Sequence, residues 1–103
     1  MMWQVILSTR AEKQIKRLSV NVKTRLFYLL AEIERTGPIR GNWPNYGKLD
    51  ETRHHCHIRK GKPCFVAVWE VVDKKINLIE VRYVGTHEGS MAIVHRPYRK
   101  KLI

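Results

Sequence analysis

The sequence predicts an α+β domain in the order β-α-α-β-β-β, with a helical hairpin on one face of a small, mostly antiparallel sheet. In the first third of the chain, apolar residues recur at helical spacing. In the second half, three runs rich in β-branched and aromatic residues are separated by turn signals. A chain of 103 residues has the size of one domain, so we expect a single domain over residues 1–103, with a basic tail from about residue 90.

The first strand and the two helices are predicted from apolar runs and from their end signals. Residues 2–7 form an apolar run, and Ser8-Thr9 offers a hydroxyl that can cap the following helix. That helix is short, and its apolar face is formed by Ala11, Ile15 and Leu18. The second helix follows the capping side chains of Ser19 and Asn21 and ends near Arg35, where Thr36-Gly37-Pro38 stops it.

The remaining strands follow a loop over residues 37–47 that is rich in Gly, Pro and Asn. The strands are predicted at 53–59, 63–72 and 76–84, with turns at 60–61 and 73–75. If the first hairpin turns around Lys60, Cys56 lies roughly opposite Cys64. Two cysteines are too few for a disulfide scaffold, and we expect free thiols.

The charge of the chain is strongly positive, with 20 Lys and Arg against 9 Asp and Glu and a formal net charge of +11. Such a protein attracts polyanions, so nucleic acid is the first partner class, and an acidic protein partner is the alternative. The sequence has no apolar run near the ~18 residues of a membrane span and no signal-peptide pattern. We therefore expect a cytoplasmic protein without a membrane partner.

The strand at 53–59 divides its side chains between two faces, because successive side chains point in opposite directions. One face carries Arg53, His55, His57 and Arg59, and the other carries His54, Cys56 and Ile58. The second set is more apolar, so we expect it under the helices and the first set on the open face. His87 follows the last strand between two glycines and can turn back toward that open face.

These residue types suit the cleavage of RNA through its own 2′-OH. That reaction needs a base at the hydroxyl, an acid at the leaving 5′ oxygen, and fixed positive charge on the phosphate. Imidazoles titrate near neutral pH, and Arg can grip a phosphate with two hydrogen bonds. His57, His87, Arg59 and Arg53 would supply these parts.

Three motifs resemble the RelE/ParE superfamily of bacterial toxins, closest to its RelE-like, YafQ-like and HigB-like members. They are Cys56-His57-Ile58-Arg59, the run Phe65-Val66-Ala67-Val68-Trp69-Glu70-Val71-Val72-Asp73, and Leu78-Ile79-Glu80-Val81-Arg82-Tyr83-Val84-Gly85-Thr86-His87. The resemblance spans nearly the whole chain. It implies a RelE-like fold, an endoribonuclease that cleaves mRNA in the ribosomal A site without metal or cofactor, and a cognate antitoxin as partner.

The same resemblance implies roles for individual residues. It identifies His57 and His87 as the acid-base pair, with Arg59 as a basic residue on the same strand. RelE itself has an Arg on the next strand, where this chain has apolar Phe65-Val66-Ala67. RelE-like toxins also often have a catalytic or stacking Tyr near the C-terminus, where this chain offers only Tyr98. We expect contacts to RNA from Arg53, His55, Lys48, Lys60 and Arg82.

Other interpretations remain open at this stage. A zinc site would draw on His54, His55, His57, His87, Cys56 and Cys64, but no C-x-x-C or H-x-x-x-H spacing is present and we expect no metal. Trp43 and Tyr46 either stack on a base or attach their loop to the body. The chain is alternatively a ParE-like DNA gyrase inhibitor without nuclease activity, or an RNA-binding module without catalysis.

Overall fold

A computed structural model of the chain describes residues 2–59, 61 and 63–87. Lys60, Tyr98 and the basic tail lie outside the described residues. The elements are β1 (Gln4–Leu7), α1 (Thr9–Lys16), α2 (Val20–Thr36), β2 (Gly47–Lys48), β3 (Arg53–Arg59), β4 (Phe65–Asp73) and β5 (Leu78–Thr86). None of the helices in this described part is long and apolar enough to span a membrane.

The five strands form one mixed sheet in the order β1-β5-β4-β3-β2. β1 pairs with β5 in parallel, and the other three pairs are antiparallel. This confirms the predicted α+β class and the helical hairpin. The extra strand β2 arises because Gly47 pairs with His55 and Lys48 with His54, inside a segment that was predicted to be a loop.

Both helices begin at the predicted capping positions. The Ser8 hydroxyl accepts from the Ala11 N–H at 3.0 Å, and the Ser19 hydroxyl accepts from the Val22 N–H at 3.3 Å. α2 ends at Gly37, whose φ of 100° lies in the left-handed region that favours glycine. The two helices therefore start and stop where their local sequence dictates.

The main core lies between the helices and one face of the sheet. Its largest side chain, Trp69, is fully buried, and its indole N–H donates to the Pro38 carbonyl at 3.1 Å. The buried residues of this core are Ala11, Ile15, Leu18, Val22, Leu26, Leu29, Ile33, Cys56, Ile58, Ala67, Trp69, Ile79, Val81 and Val84. This is the sheet face to which the apolar side of β3 was assigned.

The face of the sheet opposite the helices, which we call the second face, is not wholly polar. Val66, Val68 and Tyr83 are buried there and pack with the partly buried Leu49 and Cys64. We expected this face to be left open. β4 is apolar at successive positions, so it places apolar side chains on both faces of the sheet. A small second cluster therefore forms beside the polar residues of β3.

Candidate active site on the second face

The side chains of β3 alternate in burial along the whole strand. The buried set under the helices is His54, Cys56 and Ile58. The half-buried residues on the second face are Arg53, His55 and His57. The sequence predicted this division correctly from Arg53 to Ile58. The placement of Arg59 on the same face was wrong, because the register shifts after His57 and Arg59 pairs with Phe65, which packs against the main core.

His54 is a core residue. Its ring stacks on Tyr46 and Trp69 at centroid distances of 5.9 and 6.0 Å, and the Tyr46 hydroxyl lies 2.7 Å from Nδ1. Burial lowers the pKa of His54 to about 4, with help from the nearby charge of Lys48. His54 is therefore neutral at pH 7, and its Nδ1 shares a hydrogen bond with the Tyr46 hydroxyl.

The structure brings His57 and His87 together at one end of the second face. Their ring centroids are 5.4 Å apart, with the ring planes at 68°. The His57 backbone N–H donates to the Pro44 carbonyl at 2.8 Å, and the His87 N–H donates to the Cys64 carbonyl at 2.8 Å. Backbone hydrogen bonds to two different segments therefore fix the main chain at both histidines, and their rings meet edge to face.

Cys64 lies against this pair, which the sequence analysis did not expect. Its Sγ is 3.2 Å from Nδ1 of His57. We predicted Cys64 opposite Cys56, and this was wrong, because Cys56 pairs with Ala67. The register shifts between His57 and Arg59, and Cys64 falls on the second face instead. Both cysteines are free, as expected.

His55 lies two residues before His57 on the same face. Its Nδ1 is 3.3 Å from the Gly47 carbonyl oxygen. Burial lowers its pKa, and the neighbouring positive charges of His57 and His87 lower it further. Within the part of the chain that the structure describes, no three or more His, Cys, Asp and Glu side chains are arranged to hold a metal ion.

Arg59 is the arginine nearest in sequence to His57. Its guanidinium donates to the Pro63 carbonyl at 3.3 Å and lies 5.6 Å from the centroid of the Phe65 ring. Pro63 directly precedes Cys64, so the positive charge of Arg59 sits at the same end of the β3–β4 hairpin as the histidine pair.

Two of the other basic residues expected to contact RNA, Arg53 and Arg82, are bound by carboxylates. Arg53 lies about 13 Å along β3 from His57, given the rise of a strand. Its Nε donates to the Asp50 carboxylate at 2.8 Å. Arg82 binds Glu70 at 2.8 Å and Glu80 at 3.2 Å.

Lys48 is exposed on β2, paired with His54 through the backbone. Arg53 and Arg82 thus form ion pairs with carboxylates. Lys48 lies on β2, the strand at the edge of the sheet. The histidine end is where the described residues combine imidazoles, a thiol and a guanidinium.

Trp43 and Tyr46 attach their loop to the body. The Trp43 indole N–H donates to a Glu32 carboxylate oxygen at 2.9 Å, and the Tyr46 hydroxyl binds His54. Both rings are partly buried against the main core. Each aromatic therefore has a structural contact that accounts for its place in the loop.

Glu32 is the anchor of this loop on α2, and its replacement tests the attachment. One carboxylate oxygen accepts from the side chains of Asn42, Trp43 and Arg40. The hydrogen bond from Asn42, followed by those from Trp43 and Arg40, lowers the pKa of Glu32 against the effect of burial. We expect Glu32→Gln to lower the free energy of unfolding by about 1–2 kcal/mol in urea titrations.

Glu34→Gln is the matched control, because Glu34 is exposed on the same helix. Its free energy of unfolding should stay within about 0.5 kcal/mol of the wild type. Equal stabilities for the two variants would show that the Glu32 contacts do not fasten the loop.

Gly85 is a second position where one methyl group should matter. It pairs with Val66, which pairs with His57 on the other side. A Cβ at Gly85 would lie 2.7 Å from the Tyr83 hydroxyl, which donates to the Thr86 carbonyl at 2.9 Å. We expect Gly85→Ala to displace the Tyr83 ring and to destabilise the protein by about 1–3 kcal/mol in thermal or urea unfolding.

Gly41→Ala provides the comparison, because nothing lies within 4 Å of a Cβ at Gly41. It should be neutral or slightly stabilising. A Gly85→Ala variant as stable as Gly41→Ala would mean that the Tyr83 ring is not fixed over Gly85.

Comparison with solved structures shows similarity to bacterial and archaeal toxins. A free, doubly mutated E. coli toxin RelE matches with a TM-score of 0.69 and 23% sequence identity, covering 100% of both chains. The YoeB dimer from Staphylococcus aureus matches with a TM-score of 0.65 and 19% sequence identity, covering 84% of this chain and 99% of that chain. The archaeal RelE–RelB complex from Pyrococcus horikoshii matches with a TM-score of 0.62 and 14% sequence identity, covering 84% of this chain and 96% of that chain.

The chain therefore has the RelE-like fold that its motifs implied. No protein-family model matches the sequence, and no curated protein matches it either. The likeness is one of backbone architecture, over nearly the full length of each of these toxins.

Proposed function

We propose that this protein is the toxin of a type II toxin–antitoxin system, a ribosome-dependent endoribonuclease that cleaves mRNA in the A site and stops translation. The observation that carries the proposal is the contact between His57 and His87 within a RelE-like fold. A binding protein has no need of two facing imidazoles, whereas cleavage of RNA at its 2′-OH requires a base and an acid close together.

In the proposed reaction, one imidazole takes the proton of the 2′-OH as this oxygen attacks the adjacent phosphorus. The other imidazole gives a proton to the 5′ oxygen as the bond from phosphorus to that oxygen breaks. The products are a 2′,3′-cyclic phosphate and a free 5′-OH. The chemistry is carried by side chains of the chain itself and needs no metal or cofactor.

Positive charge would stabilise the phosphorane-like transition state. We propose Arg59 for this role, because its guanidinium lies at the histidine end of the β3–β4 hairpin. Lys48 and Lys60 remain proposed contacts to RNA, as do Arg53, His55 and Arg82. The net charge of +11 would draw the protein to ribosomal RNA in the cytoplasm.

We further propose a cognate antitoxin as the protein partner. Solved structures with this fold include complexes of RelE with RelB from E. coli and from Pyrococcus horikoshii. For a chain of this charge, the antitoxin should carry an acidic or amphipathic segment, which would speed association and guide pairing.

The decisive experiment is induced expression in a bacterial host with mapping of mRNA 5′ ends. We expect new ends inside translated codons of a reporter mRNA. The matched control is the same reporter without its start codon and ribosome-binding site, which should stay intact.

Two other results would overturn the proposal. Growth arrest with intact mRNA, together with inhibition of DNA gyrase in a supercoiling assay, would favour the ParE-like alternative. Unchanged growth and intact mRNA, with salt-dependent binding to free RNA, would favour a binding module without catalysis.

A further inference from the structure

Cys64 touches both histidines of the candidate site, through different atoms. Its Sγ lies 3.2 Å from Nδ1 of His57, and its carbonyl oxygen accepts from the His87 backbone N–H at 2.8 Å. It directly precedes β4, and its half-buried side chain packs with Val66 and Val68 on the second face. Cys64 thus contacts the side chain of one histidine and the backbone of the other.

We infer that Cys64 is a positioning residue, whose thiol fixes the ring orientation and the tautomer of His57. The role in catalysis rests on the proposed nuclease function. A hydrogen bond at one ring nitrogen determines which nitrogen of a neutral imidazole carries the proton. With Nδ1 held by sulfur, proton exchange with an RNA substrate falls to Nε2 of His57.

The thiol suits this position because its sulfur can accept a weak hydrogen bond from Nδ1–H, the tautomer that leaves Nε2 of the neutral imidazole without a proton. A weak partner orients the imidazole without holding it in one protonation state, which a group that must gain and lose a proton requires. A carboxylate at the same place would instead stabilise the charged imidazolium. The sulfur contact is therefore compatible with either the acid or the base role of His57.

Cys56 shows that the placement of Cys64 is not a general property of the cysteines in this chain. Cys56 is fully buried under the helices, and burial raises the pKa of its thiol to about 12. It lies on the opposite face of β3 from His57. Cys56 is thus an internal control for any measurement that follows thiol chemistry.

Substitution separates the two contacts of Cys64. Cys64→Ala removes the sulfur but leaves the carbonyl that holds His87. Cys64→Ser restores a hydrogen-bonding group at nearly the same place. Cys56→Ala removes a thiol from the other face and serves as the matched control for the loss of a cysteine.

The first test uses the isolated protein and does not depend on activity. Histidine is labelled with ¹⁵N, and the ring nitrogens of His57 are followed by NMR at a pH where the imidazole is neutral. We expect one dominant tautomer in the wild type and in Cys56→Ala, a changed tautomer ratio in Cys64→Ala, and return toward the wild-type ratio in Cys64→Ser. The same His57 ratio in the wild type and Cys64→Ala would overturn the inference.

The reactivity of the thiol gives a second readout in the isolated protein. Iodoacetamide should alkylate Cys64 and spare the buried Cys56, as mapped by mass spectrometry. Besides the rise that comes from ionisation of the thiol itself, the alkylation rate should show a second step with pH that is absent in His57→Asn, because the charge of the imidazole acts on the bound thiol. A pH profile that is identical with and without His57 would show that the two side chains do not share a hydrogen bond.

The catalytic consequence is measured on ribosomes programmed with a defined mRNA. For Cys64→Ala we expect the single-turnover rate to fall about 10- to 100-fold with the half-saturating concentration unchanged, because a misoriented base affects chemistry more than binding. Cys64→Ser should recover most of the rate, and the pH dependence of cleavage should differ between Cys64→Ala and the wild type. A rate and pH profile equal to wild type in Cys64→Ala would exclude the positioning role.

The two sets of measurements separate two kinds of failure. If the wild-type protein cleaves no mRNA while the NMR and alkylation results hold, the nuclease proposal fails and the thiol–imidazole pair stands. If cleavage is normal and Cys64→Ala changes neither tautomer nor rate, the nuclease proposal stands and the inference about Cys64 fails.

Discussion

The His57→Ala/His87→Ala double variant should lose mRNA cleavage on programmed ribosomes while keeping its fold. General acid-base catalysis by one positioned side chain contributes about 10²–10⁴-fold, so each single variant should lose activity in this range. Because the two imidazoles act in one proton-transfer step, the losses should not simply multiply. The measurement is the single-turnover rate at saturating protein, with circular dichroism to verify the fold.

His54→Asn is the matched control for this prediction. It removes a histidine from the same strand, but from the buried face, and the Asn side chain can still form a hydrogen bond with the Tyr46 hydroxyl. Its cleavage rate at pH 7 should be close to that of the wild type. If the double variant cleaves as fast as His54→Asn, the contact between His57 and His87 has no catalytic meaning.

The parts of the fold that the sequence predicted depend on local rules. Ser8 and Ser19 cap the two helices because a hydroxyl one residue before a helix satisfies a free N–H wherever the helix packs. The two faces of β3 follow from the alternation of side chains along a strand, so the burial of His54 and the placement of His57 could be read from their positions.

The parts that the sequence did not predict depend on register. β2 has only two residues and no pattern of its own, and it exists because Gly47 and Lys48 meet β3. The position of Cys64 depends on where the β3–β4 hairpin turns, which a count of residues around Lys60 does not supply. Cys56 pairs with Ala67, three residues beyond Cys64. An odd displacement in register moves a side chain to the other face, and this is why the thiol was assigned to the wrong partner.

The sequence therefore predicts which histidines form the candidate site, but it does not predict which charged groups the arginines bind. His57 lies on β3 and His87 directly follows β5, and β4 lies between these two strands. The carboxylates that bind Arg53 and Arg82 come from a loop and from neighbouring positions in the sheet. From the sequence we expected both arginines to contact RNA. The structure shows that each already binds a carboxylate, which would compete with an RNA phosphate.

His54 should make the protein less stable in mild acid. Its ordinary pKa of 6.5 applies in the unfolded chain, and burial lowers it to about 4 in the folded protein. The neutral ring in the folded core is thus fully stabilising above pH 6.5, and this contribution is lost as the pH falls from 6.5 toward 4, where the unfolded state binds a proton more readily. The loss amounts to at most about 3 kcal/mol.

Urea unfolding of the wild type and of His54→Asn over this pH range isolates the effect, since Asn does not titrate. The free energy of unfolding should fall more steeply with decreasing pH in the wild type. Glu32 does not interfere, because the hydrogen bonds led by Asn42 lower the pKa of its carboxyl and its stabilisation is lost only below its ordinary value of 4.5. His55 has a lowered pKa in both proteins, so its contribution cancels in the comparison. Parallel pH profiles in the two proteins would show that His54 is not held neutral between Tyr46 and Trp69.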